Sequence, residues 1–64
     1  MEQYKQDYNK LLKRYYNGCD YLESHPDEFE KYQTELLKII NGLDKILIEN
    51  NITDKWIISH GFEE

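Results

Sequence analysis

The sequence predicts an all-α fold, an antiparallel two-helix hairpin followed by a short third helix. Three observations carry this. Two long stretches repeat apolar residues in steps of three and four. One proline-containing turn, Ser24-His25-Pro26-Asp27, separates them. The segment beyond residue 50 is short and apolar-rich, with its own stop and start signals.

In the first stretch the apolar positions are Tyr4, Tyr8, Leu11, Leu12, Tyr15, Cys19 and Leu22. They fall within an arc of about 100° on a helix, the stripe of an amphipathic element. The spacing predicts a helix over about residues 2–23. Gly18 weakens its propensity by about 1 kcal/mol against Ala, but the stripe continues through it.

The turn at residues 24–26 follows. Proline cannot continue the first helix without losing a hydrogen bond and clashing with the preceding turn, yet it suits the first turn of the next. Ser24 stands three residues before Asp27, a capping-like spacing. Asp27, Glu28 and Glu30 favour a helix start electrostatically.

The second helix is expected over about residues 26–49. Phe29, Tyr32, Leu36, Ile39, Leu43 and Ile46 alternate in steps of three and four, the seam spacing of a coiled coil. Leu37, Ile40, Leu47 and Ile48 widen the central apolar arc to about 200°. One partner helix cannot cover so broad a stripe. These four residues are therefore the candidate dimer interface, and two hairpins are expected to form a four-helix bundle.

Asn50-Asn51 is expected to end the second helix. Thr53 is the candidate cap of a third, over about residues 54–59, with Gly61 closing it. Six residues are too few for a stable isolated helix, so this tail must dock. Its own hairpin, near Tyr4 and Tyr8, is one surface for it, and a partner is the other. The two long helices would each measure about 33 Å. A short connection makes them antiparallel, with facing residue numbers adding to about 51.

The composition limits function. The chain has 64 residues, room for a single domain (1–64), and a net charge of −5. A chain this short hides only about 60 % of its unfolded surface, so its own core is marginal. It has one cysteine, Cys19, and therefore no internal disulfide. Cys19, His25 and His60 are too few and too scattered for a zinc site, and no metal or cofactor is expected. Oligomerisation is the remaining common source of stability. No apolar run reaches the ~18 residues of a membrane span. The start, MEQYKQDYNK, lacks the apolar stretch of a signal peptide, so a cytoplasmic location and no membrane partner are expected. No nucleophile–base arrangement or phosphate-binding glycine loop is present, and an enzyme is not expected.

The charge is unevenly placed. Residues 19–35 carry −5 and residues 1–18 carry +2. Asp20, Glu23, Asp27, Glu28 and Glu30 make the turn a candidate surface for a basic protein partner. They also allow a DNA-mimic inhibitor of a nuclease or DNA-binding protein, since charge of one sign steers association. A solvated, solubilising tip accounts for the same residues. Lys5, Lys10, Lys13 and Arg14 lie among tyrosines, the vocabulary of single-strand nucleic-acid binding, but the negative balance opposes phosphate contacts. Trp56 and Phe62 are the candidate aromatic anchors of the tail.

Ala and Val are absent, and Lys, Ile, Tyr and Asn are abundant, a bias toward A/T-rich codons that points to a low-GC genome. The segment EKYQTELLKIINGLDKILIENNITDKWIISHGF resembles small uncharacterised helical proteins of Gram-positive phages and mobile elements. That resemblance implies a host-directed interaction protein. The second helix also touches the Ser-x-x-Leu-Asp signature of sporulation phosphorelay hairpin phosphatases through Leu43-Asp44. Ile40 stands at the serine position, and the phosphatase activity is not carried over.

Overall fold

The computed structural model describes residues 2–63. The domain read over 1–64 extends to Met1 and Glu64, which lie outside the described residues. Helix α1 spans Gln3–Ser24, a 3-10 turn spans Pro26–Glu28, α2 spans Phe29–Glu49 and α3 spans Lys55–His60. The described residues contain no strand. Helices α1 and α2 pack antiparallel in a body of 37 × 19 × 19 Å. No helix is long and apolar enough to cross a membrane.

The turn between α1 and α2 differs in detail from the sequence expectation. The α-helical part of the second element begins at Phe29, because Pro26–Glu28 winds as a tighter 3-10 turn. Ser24 does not cap it. Ser24 is the last residue of α1, and a helical backbone there cannot take the extended geometry of an N-cap. The N–H of His25 closes α1 on the Tyr21 carbonyl at 3.0 Å.

The end of α2 is a Schellman turn. Asn51 takes the left-handed conformation, with φ 54°. The N–H of Ile52 then donates to the Leu47 carbonyl at 3.0 Å and that of Asn51 to the Ile48 carbonyl at 3.3 Å. Asparagine tolerates this backbone better than most residues, which explains why the helix stops here. At α3 the cap is Asp54, not Thr53. Its Oδ1 accepts from the Trp56 N–H at 2.9 Å. Gly61 closes α3 at φ 88°, donating to the Ile57 carbonyl at 2.7 Å.

The register of the hairpin is set by two glycines. A Cβ on Gly18 would stand 3.0 Å from Leu36 Cδ2, and one on Gly42 would stand 3.1 Å from Leu11 Cδ1. Each helix therefore offers a notch to a leucine of the other. Gly18 is a point of close helix approach as well as a weak spot in propensity. Gly18 with Leu36, Leu11 with Gly42 and Tyr21 with Tyr32 give facing numbers that add to 53 or 54. Arg14 with Glu35 gives 49, so the cross-helix contacts fall on both sides of the expected 51.

The core is small. Tyr8, Leu12, Ile39 and Leu43 are buried, and Leu11, Tyr15, Ile46, Leu47 and Phe62 pack around them. Phe62 comes from the tail, so the third segment docks on its own hairpin.

Candidate functional site

Three surfaces result from this arrangement: the acidic turn, the tail with its exposed tryptophan, and the open faces of the hairpin.

In the turn, Asp20, Glu23, Asp27 and Glu30 are exposed. Among the described residues none of them makes an ion pair; the pairs found are Arg14–Glu35 and Lys45–Glu49. Glu28 differs. It is half-buried and accepts a 2.5 Å hydrogen bond from the Tyr21 hydroxyl. That bond to the carboxylate is the main cause pushing the Tyr21 phenol up to about 12. Tyr21 also stacks on His25 at 4.2 Å and meets Tyr32 edge-on at 5.5 Å. The turn is therefore braced by an aromatic cluster and leaves four carboxylates without an ion pair among the described residues.

The tail separates the two expected anchors. Trp56 is 62 % exposed and stacks on His60 with ring centres 3.6 Å apart. Phe62 instead plugs the open end of the hairpin. Its ring meets Tyr4 and Tyr8 edge-on at 5.8 and 5.5 Å. Its backbone is held at two points by Asn9, whose Oδ1 accepts from the Phe62 N–H at 2.7 Å and whose Nδ2 donates to the Phe62 carbonyl at 2.9 Å. Phe62 lies packed against its own core and is not presented as an outward anchor.

Two tyrosines of α1 complete the docking. The last carbonyls of a helix have no partner within it. The Tyr8 hydroxyl donates to the Ile58 carbonyl at 2.6 Å, and the Tyr16 hydroxyl to the Ser59 carbonyl at 2.7 Å. Desolvation is the main cause raising the Tyr8 phenol above its ordinary range, with smaller contributions from Tyr16 and Asp44. Nothing local in the sequence marks Asn9, Tyr8 or Tyr16 for these roles, because their partners lie 43 to 53 residues away.

The candidate dimer residues fall into two groups. Leu37 and Ile48 are 51 % and 76 % exposed, on the side of α2 away from α1. Ile40 and Leu47 are half-buried, and Leu47 packs on the core. The opposite, groove side holds an open cleft of about 340 Å³ lined by Arg14, Gly18, Tyr21, Tyr32, Leu36 and Ile39. The Arg14–Glu35 pair at 3.2 Å bridges it.

The basic residues of α1 do not gather. Lys5 lies 5.7 Å from the centre of the Phe62 ring and Arg14 pairs with Glu35. At about 100° per residue, Lys5, Lys10, Lys13 and Arg14 spread around half of the helix. Among the described residues no group of three or more His, Cys, Asp or Glu is placed to hold a metal ion. Cys19 is half-buried and lies beside Tyr15, the neighbour most responsible for raising the Tyr15 phenol. Comparison with protein-family models, curated proteins and solved structures finds no match.

Proposed function

We propose that this chain is a small non-enzymatic interaction protein of a phage or mobile element, cytoplasmic and homodimeric, that binds and modulates a host protein. The observation that carries the reading is the unpaired acidic turn. Asp20, Glu23, Asp27 and Glu30 stand exposed at one end of an elongated molecule, among described residues that give them no cation. Free carboxylates on a rigid tip attract a basic surface and raise its association rate. The brace of Tyr21, His25, Tyr32 and Glu28 holds that tip in one shape, which lowers the ordering cost of binding. Exposed Trp56 supplies a second, apolar contact typical of interface anchors. The dispersed bases of α1 favour a protein partner over nucleic acid.

The test is quantitative capture from lysate of a low-GC Gram-positive bacterium, comparing the native chain with a variant carrying Asp20→Lys, Asp27→Lys and Glu30→Lys. A specific partner should be recovered by the first and lost by the second, with binding that weakens as salt rises. Equal recovery of that partner by both proteins at low salt would sink the reading. Recovery of a nuclease or DNA-binding protein would identify the acidic tip as a DNA mimic.

A further inference from the structure

The outer face of α2 carries the two most exposed aliphatic side chains of the described residues. The molecule exposes 5064 Å². A folded monomer of 7.8 kDa is expected to expose about 4,400 Å². The excess of about 700 Å² is close to the ~800 Å² that each partner hides in a standard interface. The most exposed aliphatic side chains, Leu37 and Ile48, lie three helical turns apart on one line. Between them on the same line stand Asn41 and Asp44, both exposed.

The order along this line is apolar, polar, polar, apolar, and the steps are four, three and four residues. It reads the same in both directions. A two-fold contact needs such a pattern, because each surface must be complementary to itself reversed. We infer that a second copy of this chain covers α2 in an antiparallel two-fold contact, with Leu37 of one copy on Ile48 of the other and Asn41 on Asp44. This rests on the homodimer within the proposed function and adds its orientation and its polar lock.

Charge selects the direction. A parallel pair would set Asp44 against Asp44 inside a desolvated stripe, where like charges are strongly disfavoured. It would also place two turns of charge −5 side by side. The antiparallel pair gives each Asp44 carboxylate an Asn41 amide that donates to it, twice by symmetry. It moves the two acidic turns apart by about a helix length, ~33 Å, several times the ~8 Å screening distance at physiological salt. Ile40 and Leu47 extend the apolar contact on the side nearer the core.

Sedimentation of the native chain should give a dimer at micromolar concentration. In a Cys19→Ser background, Leu37→Cys protein mixed with Ile48→Cys protein should be joined by a short bis-maleimide, whereas each variant alone should not. Asn41→Asp should weaken the dimer at least tenfold by setting carboxylates against carboxylates. Adding Asp44→Asn to it should restore native association, since the pair is then only exchanged. Both positions are exposed, so helix content by circular dichroism should stay native throughout. A monomer at tens of micromolar would overturn both the inference and the homodimer. A dimer in which Leu37→Cys protein joins to itself, or in which the mixture does not join, would overturn the antiparallel contact and leave the homodimer standing.

Discussion

The Tyr8 hydroxyl donates a 2.6 Å hydrogen bond to the carbonyl of Ile58, fifty residues away, from a side chain only 1 % exposed. One residue thus fills the core of the hairpin and terminates the third helix. Tyr8→Phe keeps the ring and removes the bond, leaving a helix-end carbonyl short of a partner. The bond is part-buried, so its loss should cost about 1 kcal/mol, the low end of the range for a buried polar group left unpaired. The variant should unfold at lower urea concentration, with its unfolding free energy reduced by that amount. Tyr16→Phe, whose bond to Ser59 is exposed, should cost less.

Asn9 should be as important to the tail as the aromatic plug. It engages the Phe62 backbone twice, so Asn9→Ala leaves a donor and an acceptor of that segment without their partner. Amide hydrogen exchange should speed up at Ile58, Gly61 and Phe62 while the middle of α1 and α2 stays protected. Uniform loss of protection across all three helices would show that the tail does not open on its own. The sole tryptophan lies in α3 and gives a second readout, because release of the tail should alter Trp56 emission.

The architecture was legible in the sequence and the closure of the molecule was not. Apolar spacing along α1 and α2 is a local signal, written in every turn, and the proline at residue 26 marks the break between them. The positions of Leu37 and Ile48 on the outer side of α2 follow from the same periodicity. Phe62 shows where such reasoning stops. Its hydrophobicity was visible, but its direction depends on Asn9 and on the φ of Gly61, neither of which leaves a periodic trace. The cap of α3 falls one residue beyond Thr53 for a related reason. Thr53 and Asp54 are both good caps, and which one serves depends on where the chain leaves the Schellman turn at Asn51.

Gly18→Ala should reverse the usual effect of such a change. In an exposed helix, glycine to alanine stabilises by about 1 kcal/mol. Here the new Cβ would stand 3.0 Å from Leu36 Cδ2, so the leucine must shift or the helices must part. Thermal unfolding should show Gly18→Ala to be neutral or destabilising in the native background. In a Leu36→Ala background the notch is empty, and the same change should stabilise by about 1 kcal/mol. The difference between the two backgrounds measures the notch directly, as in any double-mutant cycle.

The brace of the acidic turn has a signature in alkali. The bond from Tyr21 to Glu28 favours the protonated phenol in the folded state, raising it from 10.0 to about 12. A group whose folded value is raised adds stability that is fully present below the unfolded value. That contribution fades as pH climbs from about 10 toward 12. Tyr21 is at the surface, so solvent screens the effect, and the titration itself is a clearer readout than stability. Phenolate absorbance should show Tyr21 ionising well after an ordinary tyrosine in the native chain. Glu28→Gln removes the carboxylate that accepts the proton bond and should bring Tyr21 back toward 10. If the Tyr21 step does not move in Glu28→Gln, the turn is not braced by this bond. The four free carboxylates would then stand on a looser tip than the one proposed to meet a partner.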